Sequence, residues 1–375
     1  MIVLLVLGVC AAWLGWRLLY AHHWSDGLHV RVEFTDAWVY EGDGSCLKEE
    51  IVNDKVLPVP ALEVRLSVSR NLEFQSAAKE NTSVTDQTYK RDIFSLMSRQ
   101  KIVRRLPFSC RRRGYYEIRT AGVAASDLLT GRNYLTDQSQ NSAMYVYPAQ
   151  VDTGRIALIC QAVSGMVMTQ NRLYPDPFEF SGIREYNRTD PMKQINWKAS
   201  ARMGNLMVNQ YDSTTSAEVT VFLDTEDTAI LKYEALVEES IRIAASLCCR
   251  LAQQKMEVKI VSNGLDAETG NMLNYRIAAG AARIHELNRK LARLRTEEKV
   301  GLPVPELFRE EKGTVGQSHT CIVISKNRSR ELEEELCTAR KEGMAVLWVL
   351  PVLPGRDGQG KTSDRVPVFL WETGK

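Results

Sequence analysis

The chain has 375 residues and a mass of 42.4 kDa, more than one core uses, because single cores stop growing at roughly 250–300 residues and chains then divide. Hydrophobic residues at 44% and charged residues at 25% exclude collagen-like, disordered and disulfide-scaffold classes, and a mean hydropathy of -0.24 excludes a polytopic membrane protein. Lys and Arg number 48 against 46 for Asp and Glu, a formal charge of +2, so bulk charge gives no reason to expect a nucleic acid, and none is expected as a partner.

Met1 to Trp16 carry no charged side chain, and Arg17 is the first. Residues 1–22 are therefore expected to form one transmembrane helix, since some twenty helical residues reach about 30 Å and Arg17 can snorkel toward the headgroups. Trp13, Trp16, Tyr20 and Trp24 fall at its carboxyl end, where amphipathic rings favour the membrane interface. A secretory signal fits less well, because no positive segment precedes the apolar run and no small-residue cleavage site follows it. Arg17 and Arg31 lie after the run, so the positive-inside rule expects a single-pass protein of the cell membrane with its soluble part in the cytoplasm. Eight cysteines without C-x-x-C spacing agree with a reducing compartment and predict neither a zinc site nor a disulfide framework.

From residue 25 to 150 the apolar pattern has period two, as in Leu28–Phe34, Ala61–Val68, Ile102–Phe108, Tyr115–Ile118 and Met144–Tyr147. Short alternating runs with turns at Gly42–Gly44, Asn53–Asp54, Pro58–Pro60 and Arg113–Gly114 predict an immunoglobulin-like β-sandwich. Lys101, Arg104, Arg105, Arg111, Arg112 and Arg113 make the densest basic region. No base-stacking signature or DNA-reading helix accompanies them, so they are expected on solvated outer strand faces.

From 215 to 375 the period changes. Strands are expected at Glu218–Asp224, Glu257–Ser262, Thr320–Ser325, Met344–Leu350 and Val366–Trp371. One intervening helix buries Val237, Ile241, Ala244, Cys248 and Leu251, and a second buries Ile284, Leu287, Leu291 and Leu294. A third is capped by Ser329 and stopped by Gly343. Strand and helix in alternation predict a doubly wound, mostly parallel sheet whose ligands would bind beyond the strands' carboxyl ends. The glycine-bearing loop Pro354–Thr362 lacks the context of a phosphate loop.

Between these halves, residues 151–214 hold the most informative stretch. Asp190 before Pro191 is expected to cap a helix that Gly204 ends, with Met192, Ile195 and Ala199 on its buried face. Gly182, Arg184, Tyr186, Asp190, Ile195, Trp197, Ala201 and Arg202 match, at fixed spacing, a signature close to G-x-R-x-Y, a turn ending in Asp, then I-x-W-x-x-x-A-R. By these residues, and by Arg112–Tyr115, Ala125–Gly131 and Tyr147–Pro148, the chain resembles the bacterial family called domain of unknown function 58. The resemblance implies a membrane-anchored protein with a β-sandwich and a von Willebrand factor A-like domain, and a MoxR-type AAA+ ATPase as partner. Two departures stand out: one amino-terminal membrane segment where many relatives have two, and Thr189 where a Gly commonly precedes the motif Asp.

A von Willebrand factor A domain with a working metal site carries Asp-x-Ser-x-Ser after its first strand, because a hard divalent cation takes a carboxylate and two hydroxyls from one loop. Here Asp224, Glu226 and Thr228 stand at those positions, an all-oxygen set suited to Mg2+ or Ca2+. The later loops, Ser262–Gly264 and Ser325–Asn327, offer no carboxylate, so a degenerate, metal-poor site is expected, with Asp224 and Thr228 capping the next helix instead.

No Ser/His/Asp order, zinc motif or nucleotide loop supports an enzyme. His285 and His319 lack a paired nucleophile, and Asp176 with Glu179 is too weak a pair to assign. The expected function is a non-enzymatic, membrane-tethered interaction protein. Arg184, Tyr186, Asp190, Trp197 and Arg202 are expected to form an inter-domain joint around a buried Trp, or a binding surface. An envelope enzyme and an outward-facing adhesion protein are the alternatives.

Overall fold

The computed structural model describes residues 2–74, 82–84, 87–126, 133–173, 180–188, 190–211, 218–227, 233–278, 283–296, 301–314, 319–354 and 365–374. Asp176, Glu179, Thr189, Thr228 and most of the stretches 125–131 and 354–362 lie outside the described residues. The chain divides into two compact units, Met1–Ala149 and Gln150–Lys375, of mixed α and β structure.

The first unit opens with helix α1, Ile2–His23. It is followed by β1 Leu28–Phe34, β2 Trp38–Tyr40, β3 Gly44–Asn53, β4 Val59–Ser69, β5 Leu72–Phe74, β6 Thr82–Val84, β7 Gln87–Leu96, β8 Gln100–Cys110, β9 Gly114–Ser126 and β10 Asn133–Tyr147. Four strands form a sheet in the order β1-β3-β8-β5, and six form another in the order β2-β10-β9-β4-β7-β6. Alternate residues of each sheet point inward. Leu47 and Ile51 from β3 meet Leu62, Val64 and Leu66 from β4 and Val123 from β9 in one cluster.

Among the described residues, α1 is the helix long and apolar enough to cross a membrane. Its end is not free, however. Tyr20 and Trp24, expected at a lipid interface, are 2% and 7% exposed and belong to the core of this unit, with Tyr134 ring centroids at 5.8 and 5.9 Å. The Lys55 ammonium donates to the carbonyls of His23 and Trp24, placing a cation at the negative end of the helix. The last turn of α1 is thus fastened to the sheets, and Leu4, Leu5 and Leu7 stand bare.

The basic region also departs from expectation. Arg113 is buried, and Arg104 turns inward to pair with Asp92 at 2.6 Å. Only the outer positions behave as solvated charges, Lys101 beside Glu50 and Arg111 beside Glu73. Arg104 faces Glu49, its cross-strand neighbour on β3, and Lys90 from β7 lies over the Phe74 ring at 4.8 Å and 3.5 Å from Asp92. Glu49 is 1% exposed, and neither carboxylate oxygen has a hydrogen-bond partner.

The second unit runs α2 Thr153–Leu173, β11 Phe180–Glu185, α3 Trp197–Met203, β12 Met207–Tyr211, β13 Glu218–Leu223, α4 Glu234–Gln253, β14 Glu257–Asp266, β15 Met272–Ile277, α5 Ile284–Arg293, β16 Leu294–Arg295, α6 Val304–Thr314, β17 Thr320–Ile324, α7 Arg330–Lys341, β18 Ala345–Val352 and β19 Val368–Glu372. Its main sheet is ordered β15-β14-β13-β17-β18-β19, with β16 also on β14. The run from β14 to β19 is parallel, and β15 and β16 are antiparallel. Both faces are covered, which explains why these strands read as continuous apolar runs. On β13, Val219, Val221 and Leu223 join a core with α2, α4 and α5, whereas Phe222 joins one with α6 and α7. Ser329 caps α7 by accepting from the Leu332 N-H. Gly343 then takes φ +97, a conformation that a Cβ would strain. The helices α2 and α6 were not foreseen.

Burial, and then repulsion from Asp92, push the Glu49 carboxyl up to about 7 from an ordinary 4.5. A carboxyl raised in the folded state holds its proton longer than in the unfolded chain. Stability therefore falls as pH rises from about 4.5 to about 7 and levels off above that window. In Glu49→Gln this fall should be smaller than in the parent chain, by the share that Glu49 contributes, in urea melts taken across the window.

Candidate functional site

A parallel sheet gathers its loops at the carboxyl ends of its strands, and here two loops and an irregular stretch of β14, where the register shifts between Ser262 and Leu265, meet around one carboxylate. Asp224 follows β13 directly and is 2% exposed. Its N-H donates to the Ile324 carbonyl at 2.9 Å, which ties it to β17. One carboxylate oxygen, Oδ1, accepts from the Glu226 N-H and from Asn263 Nδ2, both at 3.0 Å. The other, Oδ2, accepts from Ser325 Oγ at 2.5 Å and Asn327 Nδ2 at 2.8 Å. Burial pushes the Asp224 carboxyl up, and the bond from Ser325 leads those that pull it back down.

The rest of the cluster is built the same way. Thr225 donates to Asn263 Oδ1 from both its N-H, at 2.9 Å, and its hydroxyl, at 3.0 Å. Asn327 Nδ2 also reaches the Glu226 carbonyl at 2.9 Å, and the Trp348 indole donates to the Ser325 carbonyl at 3.1 Å. Lys326, between two residues bonded to Asp224, turns instead to Asp227; their side chains are 5% and 9% exposed. The Tyr233 N-H donates to Asp227 Oδ2 at 2.5 Å, so Asp227 rather than Asp224 holds the approach to α4. The expected helix cap at Asp224 is not formed, because its oxygens are taken up by other strands' loops.

These residues do not fit a divalent cation. Every bond Asp224 accepts comes from a donor hydrogen, and the positive charge of the cluster is already supplied by Lys326. Among the described residues, no three of His, Cys, Asp and Glu converge as a metal-holding group. Asn263, Ser325, Lys326 and Asn327 are not among the expected site residues, because none of them is a carboxylate. Asn and Ser at two successive strand ends were the available signal.

The second candidate is the hairpin of β11 and β12, paired antiparallel from Gly182↔Gln210 to Glu185↔Met207. Arg184 and Asp190 form a two-bond fork at 2.6 and 2.7 Å, and Asp190 also accepts from the Asn187 N-H at 2.8 Å. The Arg184 guanidinium holds the Asp190 carboxyl down at about 2. Because Asp190 is spent on this fork, it caps no helix. A short 3-10 turn, Met192–Gln194, follows it, and α3 starts only at Trp197, with Asn196 accepting from the Ala199 N-H. Gly204 ends α3 at φ 75, as expected.

The signature residues thus divide into two groups. Arg184, Asp190 and Tyr186, whose N-H donates to the Leu206 carbonyl, fix the shape, and Gly182 sits in the strand. Ala201 and Arg202 lie exposed on α3. Met192 does not share a buried face with Ile195: it is 70% exposed, and Trp197 is 65% exposed, as are Phe180 at 57%, Ile183 at 43%, Met203 at 68% and Leu206 at 45%. Among the described residues, the small hairpin buries Ile195, Met207 and Val208 in this stretch, too little to cover its other apolar side chains.

Close approach of the loops makes Gly264 necessary. An added Cβ would meet Thr225 Oγ1 at 2.9 Å and Leu294 Cδ2 at 3.2 Å. Gly264→Ala should therefore cost about 1–3 kcal/mol, measured as a lowered urea midpoint.

A family model described as Protein of unknown function DUF58 matches residues 182–302, which take in the hairpin from Gly182 and the Asp224 and Asn263 loops. No curated protein matches the chain. Among solved structures, a non-cellulosomal cohesin from Archaeoglobus fulgidus is 13% identical, covering 31% of this chain and 90% of its own, at a TM-score of 0.23. A CARDB domain from Pyrococcus furiosus is 16% identical over 31% of this chain and 94% of its own, at 0.19. The sporulation control protein Spo0M of Bacillus subtilis is 8% identical over 43% and 58%, at 0.20.

Proposed function

We propose that the chain is a non-enzymatic, membrane-tethered interaction protein whose docking surface is the Phe180–Leu206 hairpin and whose partner is a MoxR-type AAA+ ATPase. The observation that carries the reading is the set of six exposed large apolar side chains, Phe180, Ile183, Met192, Trp197, Met203 and Leu206, on one small element. Soluble proteins rarely leave so much apolar surface bare without a partner. Arg188, Lys193, Lys198 and Arg202 are exposed beside them, which suits a partner with an acidic rim around an apolar pocket. Trp and Arg are also the side chains most enriched among dominant interface residues.

The fold reading that goes with this function has an immunoglobulin-like first unit and a von Willebrand factor A-like second unit. In support, the first has two largely antiparallel sheets around one core, and the second has a parallel sheet with helices against both faces. The tether is α1. Arg17 and Arg31, both carboxyl-terminal to the apolar run, favour a cytoplasmic soluble part, and eight free cysteines agree.

The test is capture from native membranes with the full chain as bait. The parent chain should recover the ATPase, and Trp197→Ala with Met203→Ala should weaken capture tenfold or more, about 1.4 kcal/mol, with the melting temperature unchanged because both side chains are exposed. Recovery without the ATPase, or undiminished capture by the variant, would sink the proposal. A fluorescent reporter fused at Lys375 should glow, and a dark fusion with active alkaline phosphatase would reverse the topology.

A further inference from the structure

The loops after β13 and β17 pair Asp227 with the Lys326 ammonium, in the same short stretch that holds Asp224 and Glu226. We propose that Lys326 is a resident cation that replaces a divalent metal in this loop cluster, fixing the loops permanently and making them independent of Mg2+ or Ca2+. The geometry supports this in three ways.

The Lys326–Asp227 pair is nearly out of water, at 5% and 9% exposure, and breaking such a pair leaves an uncompensated charge. The pair also has structural reach, since Asp227 Oδ2 receives the Tyr233 N-H where α4 begins. Its described neighbours are already engaged. Ser325 and Asn327, on either side of Lys326, are both committed to Asp224 Oδ2, and Asn263 holds Oδ1. A metal entering this cluster would have to strip those donors and repel the ammonium.

Glu226 completes the charge balance. It stands two residues from Asp224, and its carbonyl is held by Asn327 Nδ2 at 2.9 Å. Remove the ammonium, and Asp227 loses its buried ion-pair partner in a loop that also holds Asp224 and Glu226, an oxygen-rich setting of the kind a hard cation binds. The same loop that is closed to metal with Lys326 should therefore become open to it without Lys326.

Thermal melts of the full chain in detergent, in EDTA or in millimolar Mg2+, test this together with Mn2+ binding followed by electron paramagnetic resonance. The parent chain should melt at the same temperature in both buffers and bind no Mn2+. Lys326→Met should melt roughly 5–10 °C lower in EDTA, recover in Mg2+ and bind Mn2+. The double variant Lys326→Met with Asp227→Asn, which removes both charges, should regain most of the loss and respond less to metal than the single variant. Stabilisation of the parent by Mg2+, Mn2+ binding by the parent, or a destabilised Lys326→Met that gains nothing from either metal would overturn the proposal. If Lys326→Met fails to fold, the parent and the double variant still decide it: a parent that takes up Mn2+, or a double variant as unstable as the single one, contradicts a resident cation.

Discussion

A charge taken out of water must be met by the protein or given up, and the placement of the loops in the second unit follows from how Asp224 meets that demand. A parallel sheet brings its strand ends side by side but does not shape the loops beyond them. Here a carboxylate only 2% exposed draws in Asn263 from β14 and Ser325 and Asn327 from the loop after β17. Each bond to a charged group contributes about 1.5–3 kcal/mol, and removing the acceptor would take a partner from four donors at once, the Glu226 N-H among them. Gly264 and the Thr225 bonds to Asn263 follow from the closeness that results.

The same demand is met differently elsewhere in the chain. Lys326 and Asp227 pair as ions at the edge of the cluster, and on the hairpin the Arg184–Asp190 fork sets the turn while staying in reach of water. In the first unit, Glu49 has no hydrogen-bond partner, and its proton is the remaining way to shed the charge. The junction of α1 with the sheets follows the rule as well, since Lys55 satisfies carbonyls at the helix end. With Tyr20 and Trp24 in the core beside it, the exposed apolar length of α1 is fastened to a folded unit rather than to a loose linker.

Legibility in the sequence tracked how local each cause was. The α4 face of Val237, Ile241, Ala244, Cys248 and Leu251 was readable because burial and helix period coincide, and all five are buried. So was the α7 cap at Ser329, a bond between neighbours. Helix α2 carried a comparable stripe in Ile156, Ile159, Cys160, Val163 and Val167, overlooked because the segment was read for its motif rather than its period. Asp190 before Pro191 has the form of a helix cap, but Arg184, six residues earlier, takes the carboxylate. Trp197 was expected at an inter-domain joint or on a binding surface, and it stands exposed on a hairpin that buries little of its own apolar surface. The Asp224 cluster was the least legible, since its partners stand some 40 and 100 residues away and are amides and a hydroxyl where carboxylates were sought.

The central claim is that protein donors around Asp224, rather than an added cation, hold the loop end of the sheet together. The most direct measurement is a double-mutant cycle on the full chain, with Asp224→Ala, Asn327→Ala and both together, read by urea unfolding in EDTA. A coupling of about 1–3 kcal/mol between the two positions is the predicted result. Additivity to within about 0.5 kcal/mol would mean that the two side chains act independently, and would contradict the account.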